Sequence, residues 1–487
     1  MQALRSPRLL TREVLAGLVV ALALIPEAIA FSIIAGVDPR VGLFSSFVMA
    51  VAIAFLGGRP AMITAATGAI ALVIAPVARE YGMDYFIATV LLGGAMQIVL
   101  AVLGVAKLMR FIPRSVMVGF VNALAILIFI AQLPQLFDVP WLVYPLVAAG
   151  LLVMILMPRI TKVIPAPLVA IVLLTAAVVV FGWGVPNVGD QGELPRSLPE
   201  LFIPNVPLTF ETLGIIAPYA LAMAVVGLLE SLMTAKLVDD ITDTHSRKTR
   251  EALGQGAANI LSGAFGGMGG CAMIGQTMIN VKASGARTRI STFLAGSFLL
   301  VLVLALGDVV AVIPMAALVA VMFLVAFATF DWHSIRPATL KRMPKSETAV
   351  MLITVIATVL THNLAVGVIL GVITAMVLFA RRVAHFTTVT RHIAEHGGTA
   401  TAYYTVDGEL FFASSNDLTT QFEYSHDPER IVIDMSRSHI WDASTVAALD
   451  AIVTKYEHHG KHVTLHGMND ATTLLHGRLT GGLGDSH

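Results

Sequence analysis

The sequence predicts an all-α polytopic membrane domain followed by a small soluble α/β domain, and three observations carry that prediction. The chain is 57% hydrophobic and 13% charged over 487 residues, with a mean hydropathy of +0.83. That is too apolar for a protein that must cover its surface with polar groups. Apolar stretches of about 20 residues recur, the length that crosses ~30 Å of hydrocarbon as a helix; examples are 13–36, 86–106, 141–157, 211–235, 289–307 and 363–380. Near residue 385 the texture changes to short alternating segments with thirteen acids and six Lys/Arg.

The number of spans follows from charge placement. Of the 25 Lys/Arg up to residue 382, 22 fall in clusters at 5–12, 59, 107–114, 159–162, 236–250, 282–289, 336–345 and 381–382. Only Arg40, Arg79 and Arg196 lie between them. This asymmetry obeys the positive-inside rule if both termini are cytoplasmic and each of the seven gaps holds two spans, giving fourteen. The first apolar stretch is long, carries Glu27 in its middle and lacks a polar cleavage region, so it is expected to stay as a span.

The polar connection 183–210 divides the membrane part, 1–384, into a first repeat of about 1–183 and a second of about 208–384. Seven spans is an odd number, so the second repeat must be inverted relative to the first, a plan that places a site at the bilayer midplane. GGRPAMITAATGAI (57–70) and GGCAMIGQTMI (269–279) share a Gly-Gly pair and Ala-Met-Ile. Each follows a carboxylate in an apolar helix, Met62 by 35 residues after Glu27 and Met273 by 43 after Glu230. In the soluble domain, 385–487, the runs 400–406, 409–413, 430–434 and 462–465 read as strands, and 416–424 and 443–458 as helices.

The segments 57–77 and 266–281 read as extended strands followed by half-helices too short to span alone. Their N-terminal amides would face one another and offer an anion two positive dipole ends. The expected donors are Ala65, Ala66 and Thr67 in one half and Ile274, Gly275 and Gln276 in the other, with the Thr67 and Gln276 side chains adding uncharged hydrogen bonds. The same glycines would also serve close helix packing.

Glu27 and Glu230 are the acids that sit well inside apolar spans. An ionisable residue there costs ~2.5–3.5 kcal/mol or more and marks a functional site by default. With no Lys or Arg at their depth, burial favours the neutral, proton-carrying form. A structural hydrogen bond to backbone freed by Pro26 or a glycine is the plainer role. Ser231 and Thr234, within a turn of Glu230, would coordinate a proton-linked water or a sodium ion. Asn122 and Gln132 are expected to bond between helices, His362 to lie at a span end, and the run 239–243 to be solvated loop charge. The single cysteine, Cys271, excludes an intrachain disulfide and any Cys-based metal cluster. No cofactor, metal or nucleic-acid partner is expected of this chain of zero net charge.

IPEAIAFSIIAGVDPRVGLFSSF (25–47), the stretch 227–285 with its Glu-Ser span, and the tail motifs GELFFASS (408–415) and IVIDMSRSHIWDAS (431–444) resemble the SulP sulfate permease family with its C-terminal STAS domain. The resemblance covers essentially the whole chain. It implies a seven-plus-seven inverted repeat, a core domain moving against a gate domain, and a homodimer in a bacterial inner membrane. By the same match Glu27, Phe31, Thr67, Glu230, Gln276 and Thr277 would line the cavity, with Glu230 at the cation- or proton-linked position. Many members carry Arg where this chain has Gln276. Without that fixed charge a carboxylate, dicarboxylate or bicarbonate becomes as plausible a cargo as sulfate. Ser444 matches the phosphorylated position of stand-alone STAS proteins, and Asp442 with it reads as a helix cap.

Proton-coupled anion symport is thus the expected function. Its alternatives are a nucleobase:cation symporter of the same fold, a sodium-coupled bicarbonate transporter, an anion exchanger and a channel. The nucleobase carriers usually supply another acid in the second half-helix region, and 269–281 contains none. A membrane enzyme lacks residues to carry chemistry: no HExxH pair, Ser/His dyad or paired membrane aspartates occur.

Overall fold

A computed structural model describes residues 7–108, 112–160, 165–384, 387–396 and 399–480. The chain divides into two compact units, Met1–Val372 and Ile373–His487.

The first unit opens with α1 (Pro7–Ala35), α2 (Pro39–Leu56) and strand β1 (Thr64–Ala65), which leads into α3 (Gly68–Val102). Then come α4 (Val105–Leu108), α5 (Arg114–Gln132), α6 (Val143–Ile160) and α7 (Ala166–Phe181). The second half runs through α8 (Phe210–Thr242), α9 (Lys248–Ala264), β2 (Cys271–Ala272) and α10 (Ile274–Met278), which continues as a π-helical turn, Ile279–Ala283. It closes with α11 (Arg289–Ala305), α12 (Gly307–Ala311), α13 (Met315–Thr329), α14 (Pro337–Arg342), α15 (Lys345–Thr361) and the first part of α16 (Leu364–Ala384), whose remainder is assigned to the second unit. Among the described residues, seven helices are long and apolar enough to cross a membrane: α1, α2, α3, α5, α6, α8 and α16.

The halves interleave. Helix α3 packs on α8 and α9, and α1 packs on α11, so elements of one half are clamped between elements of the other. Both segments read as strand plus half-helix take that form. Gly82 interrupts α3, so the run from Gly68 to that break is the first half-helix; the second is α10 with its π turn. Asn122 spans from α5 to the loop after α13, donating to Ser334 Oγ at 2.9 Å and accepting from Asp331 N at 2.8 Å.

The second unit is a four-stranded sheet in the order β3-β4-β5-β6 with three helices. Its strands are β3 (Thr388–His396), β4 (Thr399–Leu410), β5 (Arg430–Ile440) and β6 (His462–His466), and its helices α17 (Phe412–Leu418), α18 (Ala443–His458) and α19 (Asp470–Leu479). The β3/β4 pair is antiparallel and the other two are parallel. Inside the core, Asp427 accepts the hydroxyls of Tyr404 and Tyr456, both at 2.6 Å.

Two expectations for this unit need correction. The run 409–413 is no separate strand, because β4 continues to Leu410 and α17 starts at Phe412. The helix expected over 416–424 is correspondingly early, ending at Leu418. Asp442, thirty residues away, sets that start by accepting from Phe412 N at 2.6 Å, a long-range cap that local pattern cannot reveal. Strand β3 and helix α19 lie outside the runs expected from the sequence.

Candidate functional site

The site is built on β1 and β2, which cross from different halves and pair antiparallel, Thr64 with Ala272 and Ala65 with Cys271. Met273 N donates to Ile63 O at 2.9 Å, and Ile63 N to Thr277 Oγ1 at 3.0 Å. Gly270 is required by the approach: a Cβ there would sit 1.9 Å from Ala65 O. Antiparallel strands send the helices that follow them in opposite directions. Both helix N-termini therefore lie within three residues of the ladder, about 10 Å of extended chain.

Irregular backbone at membrane depth needs protein partners, and it has them. Asn259 accepts from Gly270 N at 2.8 Å and donates to Gly270 O at 3.1 Å. Ser45 donates to Gly269 O at 3.0 Å, and Ser46 accepts from Ala66 N at 3.3 Å.

The amides of the first half-helix lie later than the sequence suggests. Ala65 is in the ladder, the Ala66 N–H is turned to Ser46, and Thr67 is the N-cap. The first-turn amides belong to Gly68, Ala69 and Ile70. Local spacing placed the donors three residues early because the strand pairing that uses up Ala65 is non-local. In the other half Ile274, Gly275 and Gln276 do form the first turn of α10, with Gly275 exposed and open space where its Cβ would be. Phe31, on α1, lies against the start of α3, since a Cβ on Gly68 would come within 2.8 Å of its ring.

The two mid-span carboxylates are placed differently. Glu27 stays partly exposed, with the Gln276 side chain as its hydrogen-bonding neighbour. Gln276 itself is 2% exposed, and its Oε1 has no partner. Glu230 is sealed at 6% exposure and its Oε2 accepts from Cys271 Sγ at 2.9 Å. The sulfur in turn lies 3.0 Å from Thr67 Oγ1. Neither carboxylate has an ion pair among the described residues.

Three expected roles change. Ser231 accepts from Ala272 N at 3.1 Å, and Thr234 donates to Glu230 O at 2.7 Å. These hydroxyls tie α8 to β2 and to itself, a structural role beside the one expected of them. Thr277 is fully buried and braces Ile63, so it holds the strand crossing instead of lining a cavity. Asp239 is not solvated loop charge, because it pairs with Arg59 at 2.9 Å and accepts from Ser246 at 2.8 Å.

Glu230 is not the only carboxylate of this unit removed from solvent. Glu13 is 1% exposed and accepts from the backbone N–H groups of Arg287, Thr288 and Ser291 ahead of and within α11. Glu251 is 0% exposed and its Oε2 accepts from Gly58 N at 2.6 Å and Arg59 N at 2.8 Å. Both sit near helix starts in the sequence, which hid their burial. Cys271 carried no sequence signal beyond its being the only cysteine. In the tail Asp442 caps α18 by accepting from Thr445 N at 3.1 Å, and Ser444 is exposed on its first turn.

Residues 10–354 match the sulfate permease family and residues 391–475 the STAS domain. The putative sulfate transporter YbaR of Bacillus subtilis is 51% identical, covering 95% of this chain and 96% of its own. Among solved structures, the transmembrane domain of a cyanobacterial bicarbonate transporter, BicA, aligns with a TM-score of 0.67 at 25% identity, over 75% of this chain and 97% of that one. The murine solute carrier 26 family member A9 anion transporter, in its inward-facing state, aligns with a TM-score of 0.81 at 17% identity, over 97% and 87% of the two chains. The last likeness is one of fold.

Proposed function

The chain belongs to the sulfate permease family, and from that membership and the geometry of the strand crossing we propose that it is a secondary active, proton-coupled transporter of small anions. Its relatives are named as sulfate and bicarbonate transporters, which supports the cargo class. The observation that carries the reading is the pairing of a helix N-terminus, α3, with two carboxylates that no cation among the described residues neutralises. An anion is held by the dipole end and first-turn amides of α3 and by the Gln276 amide, with no fixed positive charge. The charge brought in is balanced by protons on Glu230 and Glu27, and the cargo is a carboxylate or dicarboxylate, bicarbonate or sulfate-like ion.

Protons are favoured over sodium because Glu230 already meets a hydrogen-bond donor, the Cys271 thiol, with which it can exchange roles once protonated. No cofactor and no catalytic step is invoked. The transporter works by alternating access as a homodimer in the bacterial inner membrane, termini cytoplasmic, with the STAS domain serving assembly or regulation, Ser444 being its accessible modification position and Asp442 the cap beneath it. Purified protein in proteoliposomes, offered sulfate, bicarbonate or fumarate, should accumulate at least one of them when the outside is acid and lose that accumulation when the gradient is collapsed. Uptake indifferent to the gradient for all three overturns the coupling.

A further inference from the structure

We propose that Cys271 is a two-way hydrogen-bond switch through which a proton on Glu230 decides whether Thr67 offers a donor to an anion at the start of α3. The idea rests on the proton-coupled reading above and deepens it by naming the group that links proton to anion. Three elements meet in one chain: Glu230 from α8, Cys271 from β2 and Thr67 at the N-cap of α3. The links measure 2.9 Å from Cys271 Sγ to Glu230 Oε2 and 3.0 Å from Sγ to Thr67 Oγ1. The three are 6%, 0% and 3% exposed, respectively.

The polarity of this chain is set at its carboxyl end. An ionised carboxylate only accepts, whereas a thiol and a hydroxyl both donate and accept. With Glu230 ionised, the Cys271 S–H points at the carboxylate, a charge-assisted bond, and the sulfur lone pair takes the Thr67 O–H. With Glu230 protonated, its O–H donates to the sulfur, the S–H turns to Thr67 Oγ1, and the Thr67 O–H is released. No heavy-atom bond forms or breaks; one proton from water is added at Glu230, and the other hydrogens only rotate. Thr67 makes no side-chain cap bond to its own helix, so its released hydroxyl is free to join the amides of Gly68, Ala69 and Ile70.

No other titratable group stands in the chain. Among the elements most extensively packed on α8, α10 has no titratable side chain, and those of α3, from Arg79 through Tyr85, lie at least three turns beyond Thr67. On α9, Lys248 and Arg250 are exposed in the first turn, and Glu251 is held by the Gly58 and Arg59 amides. On α8 itself, Tyr219 lies three turns from Glu230, Glu211 is exposed in the first turn, Lys236 is exposed and paired with Asp240, and Asp239 is paired with Arg59.

Because Cys271 is the only cysteine, its S–H stretch reports the switch in the full-length protein without labelling. Infrared difference spectra taken as pH is lowered should show that band shift, and Glu230→Gln should abolish the shift. In proteoliposomes with sulfate, which does not itself titrate in this range, KM should fall about tenfold on acidification, the worth of one hydrogen bond to a charged acceptor. Cys271→Ala should flatten that pH profile, Cys271→Ser should restore it, and Thr67→Val should flatten it with the cysteine intact. An S–H band that stays fixed through the titration, or a Cys271→Ala profile like that of the wild type, overturns the switch. A band that shifts and a KM that falls on acidification, with no accumulation driven by the pH gradient, overturn the proton-coupled function and leave the switch standing; a band that shifts while KM ignores pH overturns the switch.

Discussion

Two pairs of carboxylates in the first unit lie at or against its interior, and they are used in opposite ways. Glu13 and Glu251 each accept from two or more backbone N–H groups, Glu251 from the Gln255 side chain as well, so each satisfies donors left open by a helix start or a strand turn. Glu27 and Glu230 meet a Gln and a Cys side chain instead, partners that can reverse donor and acceptor roles. Burial alone therefore does not separate a structural acid from a working one, since Glu251 is buried more deeply than Glu230. What separates them is whether the partners are fixed donors. A carboxylate held by two or more peptide amides has no reason to change charge, and one that meets only a thiol or an amide side chain has that freedom.

The sharpest way to break this contrast is to neutralise one member of each pair and compare. Glu230→Gln should reduce gradient-driven anion accumulation to background while leaving the melting temperature in detergent close to that of the wild type. Glu251→Ala should do the reverse: it strands two buried amides, a loss of about 2–5 kcal/mol, with transport per folded molecule retained. Glu251→Gln, which keeps an acceptor oxygen, should recover most of that stability in the same thermal scan. Glu13→Ala should cost about 1–3 kcal/mol, because its amides lie nearer a helix end that water can reach. The smallest effect is expected from Asn469→Ala, about 1 kcal/mol for the N-cap that α19 loses at Thr472 N. It should be read from the protease resistance of the tail, with uptake unaltered.

Features that rest on local composition were readable from the sequence. The membrane class, the α/β tail and the half-helices after 57 and 266 all follow from apolar length, alternating segments and Gly placement. What could not be read depends on contacts between residues some two hundred positions apart. Ala65 looked like a helix-end donor until Cys271 took its place opposite it in the ladder. Thr277 looked like a cavity residue until Ile63 claimed its hydroxyl. Arg59 and Asp239 looked like separate solvated charges, and they form one ion pair. Glu13 and Glu251 escaped notice because nothing in a linear pattern says which amides will fold back on a side chain.

The strand crossing also has a consequence for biosynthesis. Thr64 leaves the ribosome about two hundred residues before Ala272, its partner. At ~5–20 residues per second, β1 waits on the order of ten to forty seconds with peptide groups unmatched at the depth of the lipid tails. The first half of the chain thus cannot complete itself on insertion. It must be sheltered, by the insertion machinery or by a wet crevice of its own, until the second half arrives to close it.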